Sequence, residues 1–184
     1  MTFLASPSQL RAELIRWMLV LCPGFVLLGL LSATIADSGP NNPWFAALVK
    51  PAIYPPPLAF PIAWTMLYIL MGLALALVLT AWGAPGRRRA IMIFILQLLL
   101  NLTWTPLFFG MHRIFAGLFL IAALDVVVLL TVVLFAKVRK ASAWLMLPYL
   151  AWLLFATLLN WQFWQLNRQA DGQTGTGAVT KITF

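Results

Sequence analysis

The chain has 184 residues, of which 63% are hydrophobic and 9% charged, and its mean hydropathy is +0.96. An ordinary soluble domain carries ~25% charged residues. Twelve Lys and Arg with four Asp and Glu cannot cover a soluble surface, so a water-soluble enzyme is nearly excluded, as is a disordered chain. The expected fold class is an all-α integral membrane protein, a bundle of transmembrane helices in one domain. The net charge of +8 would suit nucleic acid, but the basic residues fall in short clusters between apolar stretches, as topology signals do. The single cysteine, Cys22, forbids an intramolecular disulfide, and with one histidine there is no cluster to hold zinc.

Crossing the hydrocarbon core takes about 20 apolar residues in a helix. Residues 1–16 read as an N-terminal extension on the cytoplasmic side. The first apolar stretch runs from about 17 to 36 and contains Pro23, Gly24 and Gly29. It follows Arg11 and Arg16, and Thr34-Ile35-Ala36 loosely resembles a signal cleavage site, but the run is longer than a signal core and is expected to stay. Residues 37–60 form the substantial loop, with Pro40, Pro43, Pro51, Pro55, Pro56 and Pro57. Proline fixes φ and supplies no amide donor, so this loop is stiff without being regular. It is either a cap over the bundle mouth or a solvated linker. Four more stretches follow, at about 61–82, 91–110, 114–135 and 141–164, completing a five-helix domain over 17–166. Backbone amides in lipid must be satisfied internally, and no period-two alternation marks barrel strands. The tail, 167–184, is rich in Gly, Thr and Gln and is expected to be mobile.

Loop charges orient the bundle. Arg11 and Arg16, Arg87 to Arg89, and Lys137, Arg139 and Lys140 share one side; Lys50, Arg113, Arg168 and Lys181 share the other. The excess places the N-terminus in the cytoplasm and, after five spans, the C-terminus outside.

Asp125 lies in the middle of the fourth stretch, where a charged Asp costs about 2.5–3.5 kcal/mol on insertion scales. It reads as a neutral, hydrogen-bonded packing residue in preference to a proton or ligand site, because no basic residue lies at matching depth. Gln97, Asn101, Trp104 and Phe108 share one face of the third stretch; Trp64, Tyr68 and Gly72 share one of the second; Tyr149, Trp152, Ala156 and Asn160 share one of the fifth. Trp104 and Trp152 lie too deep for an interfacial belt. Such stripes describe either a cavity for a flat, largely apolar ligand or a packed aromatic core. No nucleophile constellation, acidic pair or phosphate loop is visible. His112, beside Arg113, reads as interfacial and solvated. Gly72 and Ala76 form a small-xxx-small pair that suggests close helix packing, within or between protomers.

These residues resemble the TspO/MBR family, the tryptophan-rich sensory proteins of bacteria and the mitochondrial translocator protein, once called the peripheral-type benzodiazepine receptor. The resemblance runs from about Trp44 to Asn167. It rests on Trp44-Phe45-x-x-Leu48-x-Lys50-Pro51, on Pro55-Pro56, and on Phe60-Pro61-x-x-Trp64-x-x-x-Tyr68-x-x-Met71-Gly72. Asn101-x-x-Trp104-x-Pro106-x-Phe108-Phe109-Gly110, Pro148-Tyr149-x-x-Trp152 and Leu159-Asn160 complete it. The resemblance implies a five-helix bundle, commonly a homodimer, in a bacterial cell membrane. It also implies a pocket capped by the first loop that binds porphyrins (protoporphyrin, haem-type tetrapyrroles) and isoquinoline or benzodiazepine-type ligands. Trp64, Tyr68, Asn101, Trp104, Trp152 and Ala156 match family positions in or near that pocket, and Pro51, Pro55 and Pro56 match the capping loop. No obligatory cofactor, no metal and no nucleic-acid partner is expected; porphyrin is expected as ligand and membrane lipid as surroundings.

Three functions follow from the resemblance. The first is a sensor regulating tetrapyrrole or stress responses, and the second a transporter of porphyrin or other lipophiles, motivated by Asp125. The third is light-dependent breakdown of protoporphyrin, with Trp64 and Trp152 as redox partners and no acid–base residue. Relatives often carry tryptophans where this chain reads Ala52-Ile53-Tyr54 and Pro57-Leu58, which reduces the cap's stacking surface. The segment 159–165 lacks the Tyr and basic residue of the sterol-recognition pattern of animal members.

Overall fold

The computed structural model describes residues 7–173. Six α-helices follow in order: α1 (Pro7–Ile35), α2 (Pro43–Ala47), α3 (Ala59–Leu79), α4 (Arg87–Thr105), α5 (Ile114–Val138) and α6 (Lys140–Leu166). Five of the helical segments are long and apolar enough to cross a membrane. Among the described residues there is no strand. With no water in the bilayer core to bond to, the apolar runs satisfy their amides along the helix axis. Pro23 in α1 and Pro148 in α6 sit inside continuous helices, as spans tolerate when neighbouring groups take up the freed carbonyls.

The element boundaries differ from those read in the sequence. α1 begins at Pro7, so residues 7–16 extend the first helix and are not a separate segment. The proline-rich loop contains α2, started by Pro43 and by Asn42, whose Oδ1 accepts the Phe45 amide at 2.9 Å. The third span changes pitch at Pro106, which has no N–H to donate. Residues Pro106–Gly110 form a π-helical turn, closed by the Met111 amide on the Pro106 carbonyl at 2.9 Å. α5 and α6 are separated by Arg139 alone, in extended backbone.

α5 packs along both α4 and α6, α1 along α3, and α3 against α6. α1 is largely exposed, so it lies at the edge of the bundle. Its contact with α3 depends on glycine. A Cβ on Gly72 would stand 2.9 Å from the Cys22 backbone, and one on Gly29 would overlap the Tyr68 ring. At the basic end of the bundle, Phe94 of α4 stacks on Phe135 of α5 (centroids 5.6 Å) and on Phe25 of α1 (5.8 Å). There Arg87 donates to the Val78 and Leu79 carbonyls that end α3, and its guanidinium covers the Trp82 ring. The opposite end opens into a cavity.

A capped aromatic cavity between the helices

Helices α1, α3, α4, α5 and α6, the π turn and the first loop surround a cavity of about 650 Å³, within the usual range for small-molecule sites. All six residues that matched the family's pocket line it: Trp64 and Tyr68 from α3, Asn101 and Trp104 from α4, Trp152 and Ala156 from α6. The α-helical period aligns Trp64 with Tyr68 (centroids 5.6 Å apart) and Trp152 with Ala156. Trp104 stacks on Phe108 at 4.9 Å, because the π turn returns Phe108 beneath the indole.

Polar groups on the wall are bonded to one another. Tyr68 Oη donates to Asn101 Oδ1 at 2.8 Å, and Asn101 Nδ2 donates to Tyr149 Oη at 3.0 Å. This line joins α3, α4 and α6 beneath the cavity, with Tyr149 fully buried. Trp104 Nε1 donates to Asn160 Oδ1 at 3.2 Å, and Asn160 Nδ2 to the Ile114 carbonyl at 3.0 Å. Gly117 makes room for that second pair, since a Cβ there would lie 3.3 Å from Asn160 Oδ1.

The first loop is a cap. Phe45, Tyr54, Pro57 and Leu58 line the cavity, and Phe45 is buried against Phe109 (5.0 Å) and Phe163 (5.6 Å). Lys50 donates to the Phe45 and Leu48 carbonyls while its Nζ lies 4.1 Å from the Phe45 ring centre. Burial lowers the proton affinity of Lys50 and raises the pKa of Tyr54.

The segment after α6 fastens this cap. Asn167 Oδ1 accepts the Val49 amide at 2.8 Å, and its Nδ2 donates to the Val49 carbonyl at 3.0 Å. Trp44 donates from Nε1 to the Ala170 carbonyl at 3.2 Å and stacks on His112 at 4.6 Å. Asp171 Oδ1 accepts the Ile114 amide at 2.6 Å, capping α5. The tail expected to be mobile is therefore anchored through 167–173; residues 174–184, and residues 1–6 of the N-terminal extension, lie outside the described residues.

Several residues singled out from the sequence lie elsewhere. Pro51, Pro55 and Pro56 stand in the capping loop without lining the cavity, which Pro40 and Pro57 do; Pro51 is buried within the loop, and Pro56 faces out. Gly72 faces α1, and Gln97 is fully buried one turn beyond Asn101, its amide without a hydrogen-bond partner among the described residues. Asp125 is off the cavity and accepts a hydrogen bond from Thr157 at 2.7 Å, between α5 and α6. The wall contributed by α1 (Val26, Gly29, Leu30 and Ala33) was missed, because its lining positions are small or aliphatic like its lipid-facing ones. Asn160, in the same periodic stripe as Trp152 and Ala156, also lines the cavity, and its spacing from those two residues is the signal that finds it.

The fold and cavity define a multi-pass helical membrane protein with a ligand-sized, aromatic chamber enclosed among its spans. A family model described as the TspO/MBR family matches residues 19–165. The chain is 42% identical over 151 residues to "Tryptophan-rich protein TspO" of Chlorobaculum tepidum, covering 81% of this chain and 95% of the relative. It is 36% identical to "Protein CrtK" of Rhodobacter capsulatus, covering 78% and 89% of the two chains. It is 34% identical to "Translocator protein" of Ovis aries, covering 68% and 75%. The chain belongs to the TspO/MBR family.

Proposed function

We propose that this chain is a membrane receptor or sensor that binds porphyrins and related flat lipophiles in the capped cavity and regulates tetrapyrrole or stress responses. The observation that carries the reading is the convergence of three indoles, Trp64, Trp104 and Trp152, from three helices on one chamber of about 650 Å³. Indole faces stack on planar rings, and a few polar groups fix orientation. The name "Tryptophan-rich sensory protein" of a relative in Cereibacter sphaeroides, 37% identical over 124 residues, supports a sensing role. The excess of basic residues at the end of the bundle away from the cap supports a cytoplasmic N-terminus and a cavity mouth facing out of a bacterial cell membrane. A homodimer is part of the proposal.

Quenching of tryptophan fluorescence by added protoporphyrin tests it. Trp64→Phe and Trp152→Phe are each expected to weaken binding by about fivefold to tenfold, the value of an aromatic stacking contact of about 1 kcal/mol. Unchanged affinity and quenching in both variants would place the site elsewhere.

The same indoles favour a second reading, light-dependent breakdown of a bound porphyrin with dissolved dioxygen as the oxidant, in which Trp64 and Trp152 give electrons to the excited ring and are themselves oxidised. Illumination with an absorbance readout separates it from binding; bleaching at the protein-free rate would remove it. Transport gains nothing from Asp125, which lies off the cavity.

A further inference from the structure

We propose that the basic end of the bundle, remote from the cavity, carries a binding surface for anionic phospholipid headgroups. It is a crescent of cations running from the start of α4, past the end of α5, to the start of α6. Its members are Arg88, Arg89, Lys137, Arg139 and Lys140, all exposed. Among the described residues their side chains make no hydrogen bond or ion pair. The fold makes them neighbours. Phe94, near the start of α4, stacks on Phe135, near the end of α5, with centroids 5.6 Å apart. Arg139 alone joins α5 to α6. Arg87 differs: it donates to the Val78 and Leu79 carbonyls and covers the Trp82 ring, so it closes the end of α3 and not the crescent.

What lies beneath the cations identifies the partner. Side chains four residues apart on a helix stand on one face, one above the other. Arg88 stands over Met92 in α4, Lys137 over Val133 in α5, and Lys140 over Trp144 in α6. In each pair the apolar residue lies one turn further into the span and is exposed. A cation with an exposed apolar side chain one turn deeper matches a phospholipid, whose phosphate lies above its acyl chain. A soluble phosphate would use the cation alone, and an acidic protein would leave the apolar side chain uncovered. Exposed Trp82 and Trp144 set the depth, since indoles gather where the membrane meets water.

The charge at this end is one-sided. Asp125 lies in the middle of α5, and Asp37 and Asp171 lie at the cap end. Glu13 is the carboxylate at the basic end, and it accepts from Trp82 Nε1. It shares α1 with Arg11 and Arg16, so α1 keeps one net positive charge against five in the crescent. Arg16 also stands over an exposed Val20, which makes α1 a weaker copy of the same arrangement. Directing insertion requires only that the positive charge lie on this side. It requires neither concentration on three neighbouring helices nor free guanidinium and ammonium groups above lipid-facing side chains. Each Lys or Arg near an anionic surface strengthens association by about fivefold.

The test reconstitutes the full chain in phosphatidylcholine vesicles with trace spin-labelled phosphatidylcholine, phosphatidylglycerol or cardiolipin. Electron spin resonance reads the fraction of each lipid restricted at the protein. At low salt, phosphatidylglycerol and cardiolipin are expected to associate about threefold and about tenfold more strongly than phosphatidylcholine, and high salt should reduce both preferences. Arg88→Gln, Lys137→Gln and Lys140→Gln combined should bring both ratios close to one. Arg88→Lys, Lys137→Arg and Lys140→Arg combined should keep them. Arg11→Gln with Arg16→Gln should keep at least half of the cardiolipin preference. Equal association of all three lipids with the unmodified chain overturns the proposal, and that measurement needs no variant to fold. Equal losses in the α1 and crescent variants would mean a diffuse field with no crescent, which overturns it as well. So does loss of the preference on adding inorganic pyrophosphate at constant ionic strength, which would make the end a site for free phosphate. Binding of a polyglutamate peptide without any lipid preference would make it a protein contact instead.

Discussion

Asn101 bonds two tyrosines from two other helices, and changing either end of that line has a different consequence. Asn101→Leu removes both bonds and leaves Tyr149 Oη fully buried without a donor, while Tyr68→Phe removes one bond and leaves Asn101 bonded to Tyr149. An unsatisfied buried group costs about 1–3 kcal/mol, and one membrane side-chain hydrogen bond about 1 kcal/mol or less. Thermal unfolding in detergent should therefore show Asn101→Leu clearly destabilised and Tyr68→Phe only slightly. A larger loss for Tyr68→Phe would show that the tyrosine hydroxyl, not the amide, organises the floor. The positions of these residues were legible from helical spacing, because polar side chains stand out against an apolar span. Their partners were not legible. Whether Tyr149 faces the ligand or sits beneath it depends on the rotation of α6, which no single-helix pattern contains.

The helices themselves follow from the apolar runs, and the helix ends that an apolar count does not place share a cause. Residues 7–16 carry charges that end an apolar count, yet charge does not end a helix. Once the span below has nucleated it, each further residue adds a hydrogen bond at little cost. Arg11, Glu13 and Arg16 therefore continue α1, and Glu13 accepts from Trp82 Nε1 at 3.0 Å. The small α2 hides in a proline-rich stretch because Pro43 is a starter there and not a breaker. Between α1 and α3 the decisive residues are glycines. Gly29→Val and Gly72→Val should each force the helices apart at a cost of about 1–3 kcal/mol, as overpacking does. Gly24→Ala, with open space around its Cβ position, serves as the control. Gly29→Val also displaces Tyr68, so it should weaken ligand binding, whereas Gly72→Val, packed on Cys22, should act on stability first. Binding assays alongside thermal melts separate the two.

In the whole molecule, the bundle supplies the walls and two distant stretches supply the lid and its fastening. Five spans are legible in the apolar runs, and the loop reads as either a cap or a linker; the fastening is not legible, because nothing in the sequence pairs Asn167, Ala170 and Asp171 with residues far back in the chain. Asn167 mimics a backbone unit toward Val49. Asn167→Ala deletes that pairing at about 1 kcal/mol per bond, so ligand release should accelerate by about tenfold or more in stopped-flow displacement. Limited proteolysis within 37–60 should accelerate with it. Release at the parental rate would mean that the Phe45 cluster alone holds the lid.

The Val49–Asn167 pairing also spans 118 residues of chain, which bears on the order of synthesis. At roughly 5–20 residues per second, Val49 waits about 6–24 seconds for its partner to leave the ribosome. Throughout that interval the helices enter the bilayer with the first loop unlatched. The stretch that ends at residue 173 therefore completes the enclosure last, after all five spans have been made.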